Sequence, residues 1–355
     1  MATNNEIALD KPPFSSLKGK VVVLTGGASG IGAATVRSLH SSGALIVFGD
    51  LNADAGQDVL ASLVDISGVT FVQTNVTSYD ANLKLFQTAH KLHGRVDHAL
   101  SIAGVPETQK WFDPSLTLAD IAVEPDTLTL DVNLKAVLFF TRIALFYLRT
   151  GEPDSDRSIT LFSSVAGFLS RPGLPLYQCS KHGVLGLLRA IKREVYVKDG
   201  IRINAVCPGM TDTNMTKAVL PTLRAANINV QSAANVADFA LTLTSNRSLE
   251  GKAVLIVGGR AWDIEDGIER TIDQWLGSTP SSILAENTKI LSQFPIRKWT
   301  STGSSGSTAM WSGSELQPGP SGEGTTKNTA SQCSFDLLFL IKFRRILYLP
   351  AAANR

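Results

Sequence analysis

Residues 21–50, VVVLTGGASGIGAATVRSLHSSGALIVFGD, decide the fold of this chain. The stretch opens on an apolar, β-branched run, Val21-Val22-Val23-Leu24, of the kind that forms a strand buried on both faces. The glycine-rich Thr25-Gly26-Gly27-Ala28-Ser29-Gly30-Ile31-Gly32 then predicts a turn. Ile31, Ala34, Val36 and Leu39 give the next segment one apolar stripe at helical spacing. Gly43 closes that helix, and Ala44-Leu45-Ile46-Val47-Phe48 predicts a second buried strand ending at Gly49-Asp50.

Strand, glycine turn, helix and second strand make a βαβ unit with a phosphate-binding first loop. Gly26, Gly30 and Gly32 lack a Cβ, so backbone there can come close to a pyrophosphate. Ser29 and Ile31 share the turn, where the helix points free N–H groups and the positive end of its dipole at an anion. An acidic residue at the tip of the next strand accepts hydrogen bonds from both hydroxyls of an adenosine ribose. Asp50 stands there, its charge opposes a 2′-phosphate, and no Lys or Arg in the turn offsets that repulsion. The expected cofactor is NAD rather than NADP.

Working outward, 355 residues with 44% hydrophobic content supply an ample core for one large domain or two small ones. A formal net charge of +2 leaves no electrostatic footprint for a nucleic-acid partner. Cys179, Cys207 and Cys333 have neither pairing nor metal-ligand spacing, so no metal is expected and a reducing compartment suits them. The opening MATNNEIALDKPPF has no signal-peptide core. The sequons at Asn75, Asn214 and Asn246 are then chance matches, and the expected location is cytoplasmic.

Residues 1–17 read as a loose leader, since Pro12-Pro13 opposes a helix. Beyond Asp50, helix-period segments at 53–63 and 83–92 alternate with strand-like runs at 69–74 and 96–102. This alternation predicts an α/β fold: a Rossmann-type, doubly wound parallel sheet with helices on both faces. Asn75 and Val76 follow the third strand. The Asn75 amide suits either a base edge of the cofactor or the turn itself. Ala103-Gly104, after the fourth strand, leaves room for a ribose or makes a plain tight turn. Asn133 lies among apolar neighbours on a long helix and needs hydrogen-bond partners there. Ser158–Phe162 is the fifth strand and runs into Ser163-Ser164.

Tyr177 and Lys181 open the next helix one turn apart and so share a side. An ammonium beside a phenol favours the phenolate and lowers the tyrosine pKa, which suits a general acid or base. Ser164, at a strand end, is placed to hydrogen-bond a substrate oxygen.

Taken together, TGGASGIG (25–32), Asp50, Asn133, Ser164, the Tyr177-xxx-Lys181 pair and Cys207-Pro208-Gly209-Met210-Thr211-Asp212-Thr213 resemble the short-chain dehydrogenase/reductase family. The resemblance spans about residues 17–277. It implies that Tyr177 is the catalytic acid/base and that Lys181 tunes it and holds the nicotinamide ribose. It further implies that Ser164 positions the substrate oxygen and that Asn133 holds a water in a proton relay. Thr211, by its backbone, and Thr213, by its hydroxyl, would contact the carboxamide. Two departures touch cofactor support: Ser101-Ile102 precede Ala103-Gly104 where the family often has Asn-Asn, and Asn75 replaces a common aspartate.

In this family the segment 209–236 is a mobile lid. Met210, Met215, Val219, Leu220 and Leu223 would give it an apolar inner face, and Trp111, Phe112 and 168–176 would complete the pocket. Few charged anchors lie there, which favours a bulky apolar secondary alcohol or ketone. The implied activity is NAD-dependent alcohol oxidation, similar to tailoring enzymes of natural-product pathways, including terpenoid ones. The alternatives are an NADPH-dependent ketone reductase and a cofactor-binding sensor or scaffold without turnover. Family resemblance also implies a homodimer or homotetramer.

From residue 278 the composition changes. Residues 300–331 are rich in Ser, Gly and Thr and read as disordered. The apolar, basic end is interrupted at Lys342 and too short to span a bilayer. Residues 278–355 as a whole are expected to be a low-complexity, disordered tail, an incidental or mis-predicted extension, with surface binding to a membrane as the competing reading.

Overall fold

The computed structural model describes residues 5–291 apart from Lys11, Pro13, Thr108 and Pro153. Glu6–Ile7 form strand β1, followed by β2 (Val21–Thr25), helix α1 (Gly30–Ser41), β3 (Leu45–Asp50) and α2 (Ala53–Ala61). Next are β4 (Val69–Gln73), α3 (Tyr79–His93) and β5 (His98–Ser101). The short helices α4 (Leu118–Ile121) and α5 (Leu128–Leu130) lead through a π-helical turn, Asp131–Lys135, into α6 (Ala136–Arg149). Then come β6 (Ser158–Phe162), the long α7 (Pro175–Asp199) and β7 (Arg202–Pro208). An excursion holds β8 (Thr211–Asp212), α8 (Leu220–Ala225) and β9 (Gln231–Ser232). The described chain ends with α9 (Ala233–Ser245), β10 (Ala253–Val257), β11 (Arg260–Asp263), α10 (Ile264–Leu276) and α11 (Ser278–Leu291).

Among the described residues nine strands form one sheet in the order β1-β11-β10-β7-β6-β5-β2-β3-β4. Pairings from β10 across to β4 are parallel, and β11 and β1 add an antiparallel edge. The chain steps outward through β2, β3 and β4, then crosses back to β5 on the other side of β2. That reversal opens a crevice at the carboxyl ends of β2 and β5, where sheets of this kind take their ligands.

Burial on both faces of β2 explains its unbroken apolar run. Val21 and Val23 belong to a core with Leu85, Phe140 and Leu188 of α3, α6 and α7. Val22 and Leu24 point the other way, to Val36 of α1 and Leu241 of α9. Phe48, Phe86 and Phe140 are fully enclosed, and each contributes roughly 1.5–3 kcal/mol through burial. Helix ends follow local chemistry. Ser78 caps α3 by accepting the Ala81 N–H at 3.2 Å, and Gly200 ends α7 in the left-handed region at φ 65°.

Two expectations at the ends of the fold are corrected. The leader is not loose: Glu6 and Ile7 pair with Trp262 and Ala261, Phe14 and Leu17 are buried, and the Phe14 N–H donates to Ser42 Oγ at 3.0 Å. The edge of β11 has backbone groups to satisfy, and two residues suffice to pair them. Helix α11 likewise occupies residues expected to be disordered from 278. Residues 292–355, with the 300–331 and membrane-surface readings, lie outside the described residues. Among the described residues no helix is long and apolar enough to cross a membrane.

Candidate active site

The glycine turn lies over the switch point and is packed to its limit. A Cβ on Gly26, whose φ is 71°, would stand 2.6 Å from Ala103 Cα, so turn and post-β5 backbone touch. Gly32 lets the first turn of α1 rest on the Gly26 carbonyl. Ser29 is the exposed N-cap of α1 and makes no side-chain cap hydrogen bond, while Ile31 is half-buried against the core. The Asp50 carboxylate closes this end: Oδ2 accepts the Ala28 N–H at 3.0 Å and Oδ1 the Asn52 N–H at 3.1 Å. A cradle without side chains, at a helix N-terminus and beside a carboxylate, fits a dinucleotide.

Asn75 uses its side chain in the turn after β4, where Oδ1 accepts from the N–H and the hydroxyl of Thr77 at 3.0 and 2.8 Å. Asn75 itself is exposed and Val76 half-buried at this strand end.

Deeper in the crevice, Asn133 is fully buried in the π-helical turn. Its Oδ1 accepts the Val105 N–H at 2.8 Å and its Nδ2 donates to the Val105 carbonyl at 2.9 Å. By valence one N–H and one lone pair remain on the amide. Gly104 lies where a Cβ would be 3.3 Å from Asn133 Oδ1 and 3.6 Å from Lys181 Nζ. Residues 104, 133 and 181, far apart in sequence, thus meet at one point.

Ser164 follows β6 and caps a short 3₁₀ turn, Val165–Gly167, by accepting the Ala166 N–H at 3.1 Å. The Tyr177 phenol lies close enough for this hydroxyl to act to lower its pKa. Pro175 starts α7, so Tyr177 falls in the first turn. Lys181 Nζ sits 5.6 Å from the centre of the Tyr177 ring and donates to the Phe162 carbonyl at 3.1 Å.

On the opposite wall, Thr213 closes over the glycine turn, its methyl 3.1 Å from where a Gly30 Cβ would be. Sequence reading missed three partners of this site. Thr216 Oγ1 donates to the Thr211 carbonyl at 2.6 Å and accepts the Thr213 N–H at 3.2 Å, holding both threonines in place. Gln231 pins the base of the excursion, donating to the Ile256 carbonyl at 2.8 Å. Glu107 accepts the Tyr177 N–H at 2.9 Å across 70 residues of sequence. Among these, the Thr213-xx-Thr216 spacing is the one signal that sequence reading had to hand.

Residues 20–224 match the family model described as short chain dehydrogenase. The chain belongs to that family. It is 36% identical over 265 residues to the short-chain dehydrogenase/reductase ascJ of Acremonium egyptiacum, covering 74% of this chain and 86% of the relative. It is 30% identical over 286 residues to the 5'-hydroxyaverantin dehydrogenase of Dothistroma septosporum, covering 74% and 92%. Among solved structures, 3-hydroxyacyl-CoA dehydrogenase type-2 from Mycobacterium avium aligns with a TM-score of 0.61 at 29% identity, covering 70% of this chain and 97% of that one.

In this short-chain dehydrogenase the electrostatics of the tyrosine–lysine pair differ from the expectation of a lowered phenol pKa. Burial raises the Tyr177 pKa, and the Ser164 hydrogen bond offsets this only in part. Burial also brings the Lys181 ammonium down to about 8. Lys181 stands over the ring rather than at the hydroxyl, so both groups feel desolvation before they feel each other. Lys181 is 4% exposed, and keeping it charged costs the fold on the order of a few kcal/mol at neutral pH. The unfolded chain binds more protons between about 8 and the ordinary lysine value of 10.5, so this cost is complete below that window and fades as pH rises through it. Lys181→Met is therefore expected to raise the melting temperature at pH 7 while removing turnover. A lower melting temperature at pH 7 would contradict the assigned cost.

Among the described residues no group of three or more His, Cys, Asp or Glu side chains could hold a metal ion.

Proposed function

We propose that this short-chain dehydrogenase oxidises a bulky, mostly apolar secondary alcohol to a ketone with NAD, in a natural-product pathway such as a terpenoid one. The observation that carries the reading is the meeting of Ser164, Tyr177, Lys181 and Asn133 beside a glycine cradle that ends in the Asp50 carboxylate. A relative named 5'-hydroxyaverantin dehydrogenase supports the oxidative direction on a hydroxylated compound.

In this reading Gly26, Ser29, Gly30, Ile31 and Gly32 cradle the pyrophosphate, and Asp50 holds the adenosine ribose. Asn75 and Val76 border the adenine, Ala103 and Gly104 leave room for the second ribose, and Thr211 and Thr213 hold the carboxamide. When bound, the nicotinamide supplies the hydride acceptor. Ser164 fixes the carbinol oxygen, Tyr177 takes its proton as the C–H bond breaks, and Lys181 stabilises the phenolate form that accepts it. Asn133 holds a water that passes the proton onward.

The substrate wall draws on Trp111, Phe168 and the excursion after β7. Met215 and Val219 are 44% and 49% exposed there while Leu220 is buried, which suits a lid whose apolar side is completed by substrate. Arg224, on this lid, pairs with Asp212 at 2.7 Å. A homodimer or homotetramer through α6 and α7 is part of the same proposal, supported by exposed Leu138 and Phe146 on α6, as is a cytoplasmic location.

The test is fluorescence titration with NADH and NADPH, followed by a panel of hydrophobic secondary alcohols. Asp50→Ala is expected to weaken NADH by about ten- to a hundredfold, the loss of a charge-assisted hydrogen-bond pair, and NADPH far less. Equal losses for both cofactors would overturn the role of Asp50. Tight NADPH binding by the wild type would turn the reading to a ketone reductase, and binding with no turnover of any alcohol or ketone to a sensor.

A further inference from the structure

Asp50 and the turn after β4 lie side by side at the carboxyl ends of their strands. Asp50 pairs with Gln73 in the ladder, and the next residue, Thr74, donates its N–H to the Asp50 carbonyl at 2.7 Å. With the pyrophosphate over the glycine turn after β2 and the ribose at the tip of β3, the purine base continues in the same direction and reaches the end of β4. Asn75 and Val76 stand there, and Asn75 is exposed, so a ligand has access to it.

The hydrogen bonds of this turn fix which way round the Asn75 amide stands. A backbone N–H can only donate, so the side-chain atom that meets the Thr77 N–H at 3.0 Å is the oxygen. The Thr77 hydroxyl adds a second donor to the same oxygen at 2.8 Å. Both lone pairs of Oδ1 are then occupied, and the NH₂ is the part of the amide left for a ligand. Backbone acceptors beside it are taken as well. The Asn75 carbonyl receives the Ser78 N–H at 3.0 Å, and the Val76 carbonyl receives Nδ2 of Asn82 at 2.7 Å. Asn82 is wholly buried and also donates to the Ser78 carbonyl at 2.8 Å, which braces the turn. The Val76 N–H, by contrast, has no partner among the described residues.

This strand end therefore offers a base two donors, Asn75 Nδ2 and the Val76 N–H. Adenine matches them poorly at its 6-position, where its amino group also donates. A 6-oxopurine carries an acceptor there, beside the acceptor N7. We propose that Asn75 is a specificity-determining residue of the cofactor site, reading the 6-position of the purine through its NH₂, so that the site does not favour adenine over a 6-oxopurine. The aspartate common at this position would present an acceptor instead and select the amino group. The inference rests on the reading of the glycine turn and Asp50 as a dinucleotide site.

The probes are NADH and its deamino analogue, reduced nicotinamide hypoxanthine dinucleotide, which share every group except the purine 6-position and the proton on the adjoining nitrogen. Both are titrated against the full chain through the dihydronicotinamide fluorescence that they have in common. For the wild type, the Kd of the deamino analogue is expected to lie within about threefold of that of NADH, or below it. Asn75→Asp keeps the side-chain shape and leaves one carboxylate oxygen on Thr77. The other oxygen replaces the NH₂ and turns a donor into an acceptor. The ratio of the two Kd values should then move by about tenfold in favour of NADH. The added charge repels the pyrophosphate as well, but this weakens both dinucleotides alike and cancels in the ratio, as would any loosening of the turn.

A wild-type preference for NADH of more than about threefold would overturn the proposal, because an acceptor would then be reading the amino group. A ratio that Asn75→Asp leaves unmoved would overturn it too, since the base would not meet residue 75. In both cases the dinucleotide reading stands. Binding of neither probe would sink that reading and the proposal with it. The wild-type ratio can overturn the proposal even if the variant is poorly folded.

Discussion

Tyr177→Phe is expected to lower kcat by about 10²–10⁴-fold, the usual worth of a general acid or base, with NADH affinity unchanged. The change removes one oxygen and keeps the ring that lies against Lys181. The helix start is kept as well, because Glu107 holds the backbone N–H of residue 177 and not its side chain. The phenol lies beside Ser164 and one helical turn from Lys181, so removing it removes the group proposed to take the proton. Stopped-flow hydride transfer and NADH titration on the same preparation separate the two effects. Normal turnover in the variant would show that the proton leaves by another route. Loss of NADH binding would show that the phenol is part of the cofactor site first.

Gly32→Ala should be as damaging, for a different reason. An added Cβ would stand 1.8 Å from the Gly26 carbonyl oxygen and 2.7 Å from its carbon. Backbone, not a flexible side chain, blocks the space. Either α1 retreats or the turn opens, and overpacking of this kind costs about 1–3 kcal/mol or more. Both movements take the helix N–H groups away from the pyrophosphate site, so NADH affinity should fall by at least about a hundredfold. Gly186→Ala, on the open side of α7 with nothing within 4 Å, is the matched control and should stabilise by up to about 1 kcal/mol. A Gly32→Ala protein that binds NADH normally would mean that the turn does not bind the pyrophosphate.

Much of this site was legible in the sequence because its chemistry is local. The β2–α1–β3 unit, the acid at the tip of β3 and the one-turn spacing of Tyr177 and Lys181 each depend on a few neighbouring residues. Strand β6 runs from Ser158 to Phe162, the stretch that sequence reading assigned to it. The expectations that failed depended on distant partners. Strand β1 is two residues long, too short to show a period, and exists because β11 offers an edge. Residues 260–263 form that edge strand.

Asn133 shows the boundary between the two kinds of information. Its sequence setting demands partners for a buried amide, but not which ones. The structure supplies Val105, brought in by the return of the chain from β5. The same holds for charge. One-turn spacing says that Lys181 and Tyr177 meet, and a simple Coulomb argument then lowers the phenol pKa. Burial acts in the opposite direction on both groups and is the larger effect.

By itself, the sequence determined the fold class and the family, and it singled out the glycine turn and the side chains proposed to react, since each is written in hydrophobic period, glycine placement or helical spacing. Tertiary structure alone decided what surrounds them: Glu107 at the start of α7, Thr216 beneath Thr211 and Thr213, and the desolvation that sets the protonation of Lys181. Those facts join residues tens of positions apart. Such contacts leave no repeat in the chain, because the packing of helices on the sheet, and not local propensity, brings them together.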